Sequence, residues 1–164
     1  MKTLYHGSYT VIDKIELRRG RRGKDFGQGF YLSDNLDQAK RMAEIAVARE
    51  GKGTPIITSY DFDEDRMESD ALKTLYFESY SEDWAKFIFM NRNNRSYIQA
   101  HDYDFVYGPI ADDRVGVQIR LFQQEYISIE TLVERLKFIR PTFQYFFGTA
   151  VSLNYIARKG VITL

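Results

Sequence analysis

Apolar positions along the chain follow two spacings, and each predicts a different kind of element. Leu36, Ala39, Met42, Ala43 and Ala46 recur at three and four residues, which predicts an amphipathic helix over residues 36–49. Ser33, Asp34 and Asn35 supply N-cap chemistry ahead of it, and Gly51 supplies a stop. The same reasoning predicts helices over 70–77 and 81–91, the second with Trp84, Phe87 and Ile88 on one face. A further helix is predicted over 112–123, weakened by Gly116. Another covers 128–138, where Ser128 precedes Leu132, Val133 and Leu136 and Pro141 bounds the end. Residues 150–156 read as a short helix.

Short apolar and aromatic runs predict strands over 3–5, 29–32, 55–61, 104–107, 143–147 and 160–164. The first is expected to stop at His6-Gly7-Ser8 and the fourth at Gly108-Pro109. Residues 17–25 read as a basic loop punctuated by glycine. Short strands scattered among helices without regular alternation point to an α+β fold. No repeat or linker-like stretch divides the chain, so residues 1–164 are expected to form a single domain.

Composition narrows the chemistry. A chain of 164 residues buries roughly 70% of its unfolded surface, enough for one full core. There is no Cys, which removes thiolate nucleophiles and Cys-bound metals. The 23 Lys and Arg balance 23 Asp and Glu, so a uniformly basic nucleic-acid binder is disfavoured. No apolar run has the length of a membrane span and the N-terminus does not resemble a signal peptide, so a soluble, cytoplasmic protein without a membrane partner is expected. The 25 aromatic residues (12 Tyr, 12 Phe, 1 Trp) read mainly as core and sheet packing.

Three segments could carry chemistry. In Tyr5-His6-Gly7-Ser8, an imidazole at a strand end sits beside backbone that a ligand can approach closely; the alternative is a turn that happens to contain His. In Asp25-Phe26-Gly27-Gln28-Gly29-Phe30-Tyr31-Leu32-Ser33, paired glycines precede an aromatic strand and a capped helix. This is neither a phosphate loop nor a dinucleotide fingerprint, and a bulge is the alternative. In Thr142-Phe143-Gln144-Tyr145-Phe146-Phe147, one amide stands in an aromatic strand, with Gln144 sharing a face with Phe146. A structural hydrogen bond or a ligand hydroxyl must satisfy it.

Taken together, these segments resemble the NAD-binding motifs of the ADP-ribosyltransferase superfamily, in the branch of poly(ADP-ribose) polymerases and diphtheria-type toxins with its His–Tyr–Glu signature. The chain is also similar, around residues 104–113 and 143–145, to an uncharacterised bacterial domain family within that superfamily. The resemblance implies an α+β, split two-sheet core with flanking helices and an NAD cleft between the sheets. By resemblance, His6 holds a ribose hydroxyl, the Gly7 backbone holds the nicotinamide carboxamide, and Tyr31 stacks on the nicotinamide. It extends the NAD contacts to Ser8 and Gly29. Gln144 stands where the signature places Glu. The implied activity is mono-ADP-ribosyl transfer from NAD to a protein, nucleic-acid or small-molecule acceptor, as in a bacterial toxin or defence effector with a cognate antitoxin.

The departures bear on that activity. Gln144 lacks the carboxylate that would support a cationic sugar and activate an acceptor, which suits single-unit transfer or lost activity, so a non-catalytic NAD-binding or protein-interaction module stays open. Ala39 and Met42 stand near where polymerase relatives place a serine and a second stacking tyrosine, so the ring pocket is expected to be one-sided. Asp112 and Asp113 could serve as a replacement base or bind the acceptor, or simply cap a helix. Glu125 has a weaker claim to that role, and His101 reads as a surface residue. Arg21 and Arg22 lie in the basic stretch 18–24, which is either a solvated loop or a contact for the NAD pyrophosphate or an anionic acceptor.

Overall fold

The computed structural model describes residues 1–164 and has two sheets and five α-helices. Strand β1 (Lys2–Ser8), β3 (Ile56–Phe62) and β7 (Ile156–Thr163) form an antiparallel sheet in the order β1-β3-β7. Strand β2 (Phe30–Leu32), β4 (Thr74–Tyr76), β5 (Phe105–Pro109) and β6 (Phe143–Phe147) form the second, in the order β2-β6-β5-β4, with only β4 and β5 parallel. The α+β class follows from this arrangement.

Period-two alternation in β6 builds two cores from one strand. Tyr145 and Phe147 join Leu4, Phe30, Leu32, Tyr60, Phe62 and Phe105 in a layer between the sheets. Phe146 points the other way, into a core completed by α3 (Glu82–Arg92), α4 (Asp113–Gln123) and α5 (Ile129–Leu136). Helix α2 (Glu64–Ser69) contributes Met67 to the layer between the sheets.

Helix α1 (Leu36–Glu50) packs on the outer face of β1. Asn35 caps its start by accepting from the Gln38 N–H at 3.0 Å, and Gly51 ends it in the left-handed conformation, φ 65°. The close approach depends on Gly7, where a Cβ would lie 2.0 Å from the Ala39 carbonyl oxygen and 2.6 Å from the Ala43 nitrogen. Small residues at 39 and 43 are therefore the surface on which β1 rests.

Several expected elements shift. Strand β1 runs on through His6, Gly7 and Ser8, because β3 offers partners as far as Ile56. Where a helix is expected over 70–77, the chain forms β4 instead, and the helix lies earlier, capped by Asp63. Pairing with β5 decides that case: Thr74 and Tyr76 suit a strand, and β5 offers a free edge on which to form it. Residues 152–155 form a 3-10 turn, and β7 begins four residues earlier than expected.

Candidate functional site

The two sheets meet at one isolated bridge, in which the Tyr5 N–H donates to the Ser33 carbonyl at 2.7 Å and the Ser33 N–H donates to the Tyr5 carbonyl at 2.9 Å. Past that bridge β1 continues along β3 while β2 continues along β6, so the strands part. His6 and Gly7 lie on one side of the opening and Tyr31 on the other.

In an antiparallel ladder, the N–H and C=O of one residue point to the same side, and the side alternates along the strand. Tyr5 directs both groups away from β3, toward Ser33. Gly7, two residues on, therefore directs its N–H and C=O the same way, along the edge where β2 has already departed. One donor and one acceptor thus stand side by side on an open strand edge.

His6 packs its ring on Phe30, centroids 4.4 Å apart and 27° from parallel. Its Nδ1 lies 2.8 Å from the Tyr31 carbonyl oxygen. A carbonyl only accepts, so Nδ1 carries the proton, and the neutral ring keeps Nε2 as an acceptor with no protein partner. Burial lowers the His6 pKa to about 4, outweighing the Tyr31 carbonyl that raises it, and the Lys24 charge lowers it further. The imidazole is therefore neutral at physiological pH.

Tyr31 is held by the loop that precedes it. Its hydroxyl donates to the Gly27 carbonyl at 2.6 Å and accepts from the Phe26 N–H at 3.1 Å. Gly27 makes this turn with φ 95°, a conformation suited to glycine. The loop is fixed in turn by Gln99, whose Nε2 donates to the Gln28 carbonyl at 2.6 Å, and by His101, whose Nε2 lies 2.7 Å from the Phe26 carbonyl. Asp25 binds the Arg92 Nε at 2.6 Å. His101 is thus a half-buried staple packed against Phe87, which corrects the surface reading. Its sequence neighbours are polar, so nothing local signals this contact.

Gln144 lies opposite Gly108 in β5 and shares its face with Phe146, which pairs with Tyr31 and meets that ring edge-on at 5.1 Å. Its Nε2 is buried without a hydrogen-bond partner. His6 and Tyr31 are joined through the Tyr31 backbone, and Gln144 reaches the Tyr31 face through Phe146. No hydrogen bond links His6 to Gln144.

Among the other expected site residues, Ser8, Gly29 and Asp112 make structural contacts of their own. Ser8 is buried and accepts from the Thr10 N–H at 3.4 Å. Gly29 abuts Phe146, where a Cβ would lie 2.4 Å from the ring. Asp112 caps α4, accepting from the Arg114 and Val115 N–H groups, while Asp113 is exposed in the first helical turn. Glu125 adopts φ 62° in the turn after α4. Arg22 lies over the Tyr97 ring at 4.1 Å and donates to the Arg95 carbonyl, which turns it toward the 95–97 loop. Arg21 is exposed and lies close enough to Lys24 to lower its pKa. The residue that the sequence pattern does not single out is Lys24, whose Nζ lies 3.9 Å from the centroid of the Tyr31 ring.

A family described as a protein of unknown function (DUF3990) matches residues 2–157. The chain belongs to that family. Its match runs from the first residue of β1 into β7 and so takes in every residue of the opening described above. No curated protein and no solved structure matches the chain.

Proposed function

We propose that this domain binds NAD in the opening between β1 and β2 and transfers a single ADP-ribosyl unit to an acceptor. The observation that carries this reading is the neutral His6 ring, held by the Tyr31 carbonyl with Nε2 presented as an acceptor, beside the open backbone edge of Gly7. A hydroxyl can donate to Nε2, and a carboxamide can pair with the Gly7 N–H and C=O. The buried, unpartnered Nε2 of Gln144 fits a ligand oxygen. The residues present therefore suit a ribosyl-carboxamide ligand.

When bound, NAD supplies a nicotinamide leaving group whose departure generates an oxocarbenium-like sugar, as in glycoside cleavage. The protein's part is mostly positioning. Gly7 fixes the amide, His6 orients the sugar, and the Tyr31 ring offers a flat face. Gln144 holds by hydrogen bonding alone, since a neutral amide stabilises developing positive charge less than a carboxylate. An acceptor must therefore bring its own deprotonated nucleophile. The acceptor is a macromolecule or small molecule, and the biological setting in this reading is a bacterial toxin or defence effector restrained by an antitoxin.

The missing carboxylate also favours a second reading, a module that binds NAD or ADP-ribose without catalysis. Incubation with labelled NAD and cell lysate separates the two. Transfer predicts nicotinamide release and macromolecule-bound label, each lost in His6→Ala and Tyr31→Ala while circular dichroism is preserved; Gln144→Glu should increase turnover. Binding without release in the wild type supports the second reading. Wild-type turnover in both alanine variants overturns the site.

A further inference from the structure

The Tyr31 ring is already occupied. Lys24 holds its Nζ 3.9 Å from the ring centroid, the height at which a stacked heterocycle would lie. Phe146 closes one edge of the ring, and Phe26 runs nearly parallel to it at 6.4 Å. A second planar ring cannot share the face while the ammonium is there. A ring that carries positive charge is also repelled by it.

The surroundings do not anchor the ammonium. Lys24 makes no ion pair, and Asp25, the carboxylate that attracts it, is already bound to Arg92. Arg21 and Arg49 repel it. Burial lowers the Lys24 pKa to about 8, with Asp25 opposing and the two arginines adding to the effect. The aromatic face is thus the one direct contact of a cation that burial and two arginines disfavour and that only the Asp25 charge, already bound to Arg92, offsets. Because the residue belongs to the loop that fixes the Tyr31 hydroxyl, the ring and its cover are set by the same few residues.

We infer that Lys24 is an internal occupant of a cation-binding aromatic face, covering Tyr31 until the flat, positively charged ring of a ligand displaces it. This rests on the reading of the opening as an NAD site and deepens it. The selected ligand feature is a cationic heteroaromatic ring, and Lys24 sets a threshold that the ligand must overcome to enter.

The test is equilibrium binding of NAD to the full chain by calorimetry, for the wild type, Lys24→Ala and Arg21→Ala, with thermal unfolding to establish that each is folded. Lys24→Ala should bind roughly fivefold more tightly, the scale of one cation–ring contact. Arg21→Ala removes a nearby charge that does not lie on the ring and should bind no more tightly than the wild type. Equal or weaker binding by Lys24→Ala, or equal tightening by Arg21→Ala, overturns the inference. Binding by Lys24→Ala alone supports it in its strongest form. Tightened binding without nicotinamide release leaves the inference standing and removes the transfer reading. Failure of all three proteins to bind NAD removes both.

Discussion

Two concave regions of this domain differ in kind. Between β4 and α3 lies a groove of about 710 Å³ lined by residues including Tyr76, Phe77, Glu78, Asp83, Phe87 and Met90. Between β1 and β2 lies the opening on which His6, Gly7, Tyr31 and Lys24 border. The large groove has room, and its polar residues, Glu78, Ser79 and Asp83 among them, leave no buried polar atom without a partner. The opening has an imidazole locked in one tautomer and an open strand edge, and β6 carries a buried amide nitrogen without a partner on the face it shares with Phe146. Volume identifies where something can fit, whereas unmet hydrogen-bonding capacity held on rigid strands identifies where something specific can be bound.

The largest effect expected from breaking this contrast comes from Gly7→Ala. A Cβ there meets the α1 backbone, so the helix must move or the strand must bend. The variant should lose several kcal/mol of stability, roughly the scale of an overpacked core, with NAD binding lost alongside. Chemical denaturation checks it; a native midpoint would show that α1 can slide away cheaply.

A smaller effect tests the half-buried imidazole. His6 has a folded pKa of about 4 against 6.5 for the free side chain, so the folded protein binds fewer protons than the unfolded one between those values. Its stabilising contribution is fully present above pH 6.5 and is lost as pH falls toward 4, by up to roughly 3 kcal/mol. The His101 pKa is lowered too, with the same sign. The difference between wild type and His6→Asn in urea midpoints, measured at pH 4.5 and 7, isolates the His6 part. An unchanged difference would mean that the ring is solvated.

The smallest effects lie at the groove and the α4 cap. Asp112→Ala should cost about 1 kcal/mol by loss of an N-cap while leaving NAD binding unchanged. Met90→Ala, in the large groove, should leave nicotinamide release within twofold. A tenfold loss from either would move the site and erase the distinction between the two regions.

The turn and the helix cap beside the opening are legible in the sequence because they depend on short-range chemistry. The Gly27 turn and the Asn35 cap act within a few residues, and each lies close to where the pattern puts it, whereas Gly29 is required by Phe146, far along the chain. The helix expected over 70–77 failed because its apolar residues suit either element, and only β5, some thirty residues later, decides between them. His101 reads as a surface residue for the same reason: its partners, Phe26 and Phe87, lie well away from it in sequence. Lys24 is one cation among several in a basic stretch until the loop folds back and lays it on Tyr31.

The sequence alone determined the α+β class, the residue types available for chemistry and the absence of thiolate. Tertiary structure decided the His6 tautomer, the open edge of Gly7 and the cover on Tyr31. Each of these is a relation between strands or loops that pair only after the chain has closed, so the physical cause of each lies in long-range geometry.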